Sequence, residues 1–185
     1  MVQPTQTRTT ANDYYASDAY AQNDLIQLIE GEVIILMPPI LKHQRLVREI
    51  LILLSLIARE KGGEALDSPV EVYLDEDNIY QPDVLYLSVD TQCTVEEKRL
   101  VGAPELVVEV LSPSTAKYDR QQKYQAYEKH GVHDYWIIDP IHEIIEVWSL
   151  NAQKKFERQG AFAVGDTFQS AVLGASVDVT AIFNI

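Results

Sequence analysis

Glu109 stands inside the apolar run Leu106-Val107-Val108-Glu109-Val110-Leu111. A carboxylate in such a run is costly unless it is paired or holds a metal. Its plainer alternatives are a solvated strand face or an ion pair with a buried Arg or Lys. Asp83 opens a second apolar run, Val84-Leu85-Tyr86-Leu87, just after Gln81-Pro82. Two strand-borne carboxylates in one small sheet can meet at a common edge. Hard oxygen ligands of this kind suit Mg²⁺ or Mn²⁺ rather than zinc. Downstream, Asp119, Lys123 and Tyr127 are spaced four residues apart, which lines them along one helix face. A lysine beside two carboxylates and a metal suits phosphodiester hydrolysis. The metal neutralises the phosphate and activates a water, and the lysine orients that water or stabilises developing charge. Taken alone, Asp119 and Lys123 are equally an ordinary surface ion pair, worth about 0.3–0.5 kcal/mol.

Other residues make weaker claims. His43 lies at the start of a basic helix, where it can contact a phosphate or a carboxylate, or simply cap the helix. His130 and His133 have metal-like spacing but straddle a helix end, and structural zinc wants four ligands. Ser112 and Ser114 lack the Gly-x-Ser-x-Gly elbow of a serine nucleophile and read as turn and cap residues. Tyr127 can reach the carboxylates from its helix.

These side chains need elements to hold them. Leu25–Ile29 and Glu32–Met37 are apolar runs around Glu30-Gly31, which predicts a hairpin with glycine supplying positive φ. Pro38-Pro39 stops the second strand. Val47, Ile50, Leu51, Leu54, Ile57 and Ala58 form one helical stripe from about Ile40 to Lys61, ended by Gly62-Gly63. Residues 65–74 and 80–88 each read as a strand, with Asp75–Asn78 turning between them. Leu106–Leu111 reads as a buried strand, broken by Ser112-Pro113-Ser114. A helix then runs to about His130. Tyr135–Asp139 is a further buried strand, and His142–Leu150 and Lys154–Arg158 are outer antiparallel strands. The order predicts an α/β fold with a central mixed sheet flanked by helices.

The chain has 185 residues, enough for one domain with a full core. Residues 1–20 read as a flexible tail or a short docking segment, and 21–185 as a single domain. The one cysteine, Cys93, excludes an internal disulfide framework and a Cys-based zinc cluster, which suits a reducing, cytoplasmic setting. The first 24 residues lack an apolar signal-peptide core, and no stretch approaches membrane-spanning length. The net charge of −13 argues against non-specific nucleic-acid binding. The charge is uneven, however. Residues 62–97 carry ten acidic side chains and no basic one. Residues 42–61 carry Lys42, Arg45, Arg48, Arg59 and Lys61 against Glu49 and Glu60. Residues 117–129 carry Lys117, Arg120, Lys123 and Lys129 against Asp119 and Glu128. Lys42, Arg45, Lys117 and Arg120 are therefore the candidate phosphate contacts, each also readable as part of a solvated helix face.

Taken as a series, Pro82-Asp83, Glu109-Val110-Leu111-Ser112-Pro113-Ser114-Thr115, Asp119, Lys123, Tyr127, Gly131-Val132 and Tyr135-Trp136-Ile137-Ile138-Asp139-Pro140 resemble a widespread bacterial family of restriction-endonuclease-like proteins. That family belongs to the PD-(D/E)xK nuclease superfamily. The Glu30-Gly31-Glu32 hairpin, the Pro38-Pro39 break and His43 fit as well, so the resemblance covers about residues 25 to 183. It implies a restriction-endonuclease-like core with the site at a sheet edge. It also implies a Mg²⁺- or Mn²⁺-dependent endonuclease acting on nucleic acid, with DNA the expected substrate, and a homodimer. Asp83 and Glu109 would be the metal ligands, Lys123 the catalytic lysine and Glu32 a further acidic group. Asp119, His43 and Tyr127 would support them. The position two after Glu109 is Leu111 rather than Lys, so the lysine has moved to the following helix. The rival readings are an inactive nucleic-acid-binding module and a protein-interaction module on the same fold.

Overall fold

A hydroxyl starts each of the first two helices in the computed structural model, which describes residues 8–185. Thr10 accepts from the Asp13 N–H to cap α1 (Ala11–Tyr15), and Ser17 accepts from the Tyr20 N–H to cap α2 (Asp18–Gln22). This corrects the reading of residues 1–20 as a tail. Tyr14 is fully buried and packs with Ile26, Leu28 and Ile79, so residues 11–22 are held down by their aromatic side chains. Residues 1–7 of the expected tail lie outside the described residues.

The expected hairpin forms from β1 (Ile26–Ile29) and β2 (Glu32–Ile35). Its turn residues Glu30 and Gly31 both have positive φ, 51° and 79°, the conformation that matches strand twist. Next, α3 (Leu41–Lys61) buries Leu46, Val47, Ile50, Leu54 and Ala58 and ends at Gly62, whose φ of 78° is left-handed.

Two expected strands are each divided by a proline, which cannot donate to a sheet ladder. Residues 65–74 become β3 (Glu64–Asp67) and β4 (Glu71–Asp75) on either side of Ser68-Pro69. Residues 80–88 become β5 (Asn78–Tyr80) and β6 (Val84–Leu87) on either side of Pro82. The chain continues through β7 (Thr94–Val95), β8 (Arg99–Val101) and β9 (Leu106–Val110). The helix after β9 is continuous but not uniform: α4 (Ala116–Tyr118), a π-helical stretch Asp119–Lys123, and α5 (Tyr124–His130). Then follow β10 (Asp134–Asp139), β11 (Ile144–Leu150), β12 (Phe156–Ala163), β13 (Thr167–Ser170), β14 (Ala175–Asp178) and α6 (Val179–Phe183).

The division places twelve of the strands in two six-stranded sheets, while β13 and β14 pair with each other. The central one has the order β12-β11-β10-β9-β6-β3, with β9 and β10 parallel. The other has the order β2-β1-β5-β4-β8-β7. One face of the central sheet, through Val108, Val110, Trp136 and Ile138, packs with α3 and α6. Its opposite face, through Leu85, Val107, Tyr135 and Ile137, packs with Ala126 and Tyr127 of α5 and with Ile29 and Tyr80 of the second sheet. The result is the α/β architecture expected, a mixed sheet flanked by helices. Among the described residues no helix is long and apolar enough to cross a membrane.

Candidate active site

Strands β6 and β9 pair antiparallel with Val84 opposite Val108. Asp83 sits one residue outside that ladder, at the bend before β6, close enough that its charge acts on Glu109. By strand alternation Glu109 falls on the face that carries Val107. The Asp83 carboxylate is anchored from two directions. Its Oδ2 accepts the Val110 N–H at 2.7 Å. His43, in the first turns of α3, brings Nε2 to 3.2 Å from that same Oδ2 and 3.1 Å from the Val110 carbonyl. Both neighbours are acceptors, so Nε2 carries the proton. Burial pulls the His43 pKa down, but the hydrogen bond and charge of Asp83 outweigh it, and the net direction is upward.

Glu109 is buried on β9. Its Oε1 accepts from Lys123 Nζ at 2.9 Å and from the Tyr127 hydroxyl at 2.8 Å. Lys123 Nζ also lies 3.2 Å from Asp119 Oδ1. That contact is an ion pair rather than a directed hydrogen bond, since Asp119 Oδ1 has no hydrogen-bond partner. Lys123 and Asp119 are 2% and 1% exposed, so they are not the surface pair that spacing alone allowed. The wider π turn Asp119–Lys123 carries these groups, and such turns recur at functional sites. The Tyr135 hydroxyl donates to the Asp119 main-chain carbonyl within it at 2.9 Å.

Two carboxylates, Glu109 and Asp119, thus hold one lysine, and Asp83 adds its negative charge nearby. Burial, then the negative charges of Asp119 and Asp83, push the Glu109 carboxyl upward despite Lys123. Burial raises Asp119 as well. Burial alone would lower Lys123, yet Glu109 and Asp119 hold it above its ordinary value, so its amine stays charged.

The cluster forms part of the wall of a cavity of about 870 Å³. Asp83, Glu109, Lys123 and His43 line it, while Asp119 and Tyr127 stand behind them. Gln27 and Gln81 line it too. Gln81 donates Nε2 to the Asp24 carbonyl at 3.0 Å, and the Oε1 atoms of both glutamines are buried without partners. The sequence reading passed over Gln27. Its signal was the same as that of Glu109, a polar side chain within an apolar run, Ile26-Gln27-Leu28-Ile29.

Glu32 falls elsewhere, which corrects its expected place among the acidic groups. It is exposed at the turn end of the hairpin, opposite Ile29. It lines a separate depression with Arg8, Tyr118 and Gln122. Gln27, two residues further from the turn than Ile29, is the hairpin residue that reaches the cavity. Of the candidate phosphate contacts, only Arg120 lines it. Arg120 is tied to Glu146 at 2.6 Å, and Lys42 lies 3.5 Å from Glu143.

Asp83 Oδ1 and Glu109 Oε2 make no hydrogen bond among the described residues. Two nearby carboxylates, each with one uncommitted oxygen in an over-acidic pocket, fit a Mg²⁺ or Mn²⁺ ion. Such an ion takes one or two carboxylates and fills its remaining positions with water or phosphate. Among the described residues no cluster of three or more His, Cys, Asp or Glu side chains forms a larger ligand set.

The model of the Uma2 family, described as "Putative restriction endonuclease", matches residues 11–180. The chain belongs to the Uma2 family. The match takes in α1 and every residue of the cluster. A Synechocystis relative, "Uncharacterized protein sll1609", is 29% identical over 141 residues, covering 75% of this chain and 79% of its own. The fold is shared with a crystal structure of "a putative nuclease belonging to DUF820" from Anabaena variabilis. The TM-score is 0.75 at 17% identity, over 94% of this chain and 97% of that one. At that identity the likeness is one of fold.

Proposed function

We propose that this Uma2 chain is a Mg²⁺- or Mn²⁺-dependent endonuclease that hydrolyses phosphodiester bonds in DNA. The observation that carries the reading is that Asp83 and Glu109 both line the cavity, each fixed through one oxygen and uncommitted at the other. The family description and the nuclease described for the Anabaena fold relative support it. Asp83 and Glu109 would hold the ion, which supplies positive charge against the phosphate and lowers the pKa of a water. The Val110 N–H and His43 hold Asp83 in place, and Lys123 and Tyr127 hold Glu109, so neither carboxylate need reorganise when substrate arrives. Lys123 stays protonated. Its role is to hold a water or a phosphate oxygen by charge and hydrogen bonding, and not to take a proton. Asp119 keeps Lys123 aimed from behind. A cytoplasmic homodimer belongs to the same reading, and light scattering tests its stoichiometry.

The test is cleavage of supercoiled plasmid and of single-stranded DNA with Mg²⁺, Mn²⁺ or EDTA, beside Glu109→Gln and Lys123→Met. Metal-dependent cleavage lost in both variants is expected. Cleavage that survives EDTA and Glu109→Gln would overturn the site. No cleavage with either metal, alongside retained DNA binding, would make this an inactive binding module.

A further inference from the structure

The acidic cluster is recessed, and part of the exposed lining of its cavity is apolar, beside the polar Gln44, Asp67, Ser114 and Arg120. Glu109 and Lys123 are 3% and 2% exposed, so a scissile phosphate must enter the cavity to meet them. Met37, Ile40 and Ile141 line that cavity and are 75%, 71% and 79% exposed. Pro38 and Pro39 lie between the first two and are exposed as well. Proline fixes φ and offers no N–H, so this edge is stiff and poor in hydrogen-bond donors. Soluble proteins seldom leave apolar side chains grouped in the open unless something covers them.

Charge decides between kinds of nucleic-acid partner. A duplex gripped by its backbone needs several Lys or Arg contacts, on the order of 6–10 in a typical complex. Here the lining carboxylates Asp67, Asp83, Glu109 and Asp139 outnumber Arg120 and Lys123. Both of those cations are already paired. A stacked duplex also hides its base faces, the part an apolar edge can touch. Unstacked bases expose those faces, and apolar side chains hold bases out of the stack in other complexes.

We infer that the substrate enters as unstacked, single-stranded nucleic acid whose bases rest on the rim of Met37, Pro38, Pro39, Ile40 and Ile141. The inference rests on the nuclease reading and adds the form of the substrate. The rim supplies affinity through contact area and the recessed carboxylates supply the chemistry, so binding depends weakly on salt.

The experiment compares the full chain, with Mg²⁺ or Mn²⁺, on one labelled oligonucleotide as a single strand, as a blunt duplex, and as a duplex with an unpaired gap. The single strand and the gap are expected to be cut at least about tenfold faster than the duplex. Cleavage of the single strand should fall by less than about tenfold between roughly 50 and 200 mM salt, where a backbone-gripping protein loses about 10³-fold or more in affinity. Met37→Glu and Ile141→Glu, both at exposed positions, should each slow single-strand cleavage about tenfold or more, and Met37→Leu should not. Blunt duplex cut as fast as single strand, with Met37→Glu silent, overturns the inference and leaves the nuclease reading standing. Cleavage of no substrate with either metal overturns both. A dimer that Met37→Glu dissociates assigns the rim to a second copy of the chain and overturns the inference.

Discussion

Glu71 on β4 and Glu109 on β9 are both buried glutamates on strands that run parallel to a neighbour, β8 and β10. Burial pushes both carboxyls upward. Their surroundings differ. The Tyr14 hydroxyl shares its one proton between the Ile26 carbonyl at 3.0 Å and Glu71 at 3.3 Å, and the positive charge of Arg99 favours the ionised form of Glu71. Glu71 lies under the helices that the N-terminal segment lays over the second sheet, and it does not line the large cavity. Glu109 shares one lysine with Asp119, feels the charge of Asp83, and borders the cavity. A raised carboxyl therefore does not mark a site. An excess of buried negative charge beside a cavity is the further feature, since either a proton or a cation from outside can balance it, and the proposed function takes the cation.

The comparison breaks most sharply in activity. Glu109→Gln should lower DNA cleavage by on the order of 10²–10³-fold, while Glu71→Gln should leave the rate within about threefold. Steady-state cleavage of both variants checks this, and equal losses would erase the distinction. Lys123→Ala comes next. It strands Glu109 and Asp119 in the interior and should cost about 3–5 kcal/mol of stability, read from urea midpoints. Tyr14→Phe should cost about 0.5–1.5 kcal/mol through the lost hydrogen bond to the Ile26 carbonyl and Glu71, with no change in cleavage. A change in cleavage would tie the N-terminal helices to the site.

The smallest effect concerns Asp75 on β4. Burial opposes its charge, but hydrogen bonds from Lys129, Asn78, the Asp77 N–H and His130 overcome that and hold its carboxyl below the usual range. A depressed folded-state pKa adds stability that is complete above the unfolded carboxyl value, about 4, and is lost as pH falls below it. Urea midpoints of Asp75→Asn should therefore depend less on pH across the acid range than those of the unaltered chain, with cleavage unaffected.

Much of this was legible in the residues. Asp83 and Glu109 stood out because charge is costly in an apolar run, and the stripe of α3 and the Glu30-Gly31 turn follow from periodicity and φ. The split of the strands at Pro69 and Pro82 went unread, although the missing N–H is a local fact. The reason is that apolar and aromatic residues lie on both sides of each proline, and only the tertiary fold sends the halves to different sheets. The π turn at Asp119–Lys123 has no sequence period of its own. Tyr14, Tyr15 and Tyr20 stand in a polar segment, and the surface they cover, Ile26 and Leu28 of β1 with Ile79 of β5, is assembled only in the fold. Glu32 was misplaced because its neighbours in the chain resemble a motif, while its position at the turn end keeps it from the cavity.

Calorimetric titration of Mn²⁺ into the unaltered chain, Asp83→Asn, Glu109→Gln and Glu71→Gln tests the central claim most directly. The account predicts saturable binding in the unaltered chain and in Glu71→Gln, and its loss in Asp83→Asn and Glu109→Gln with the fold intact by circular dichroism. Equal binding in all four proteins, or none in any, would contradict it.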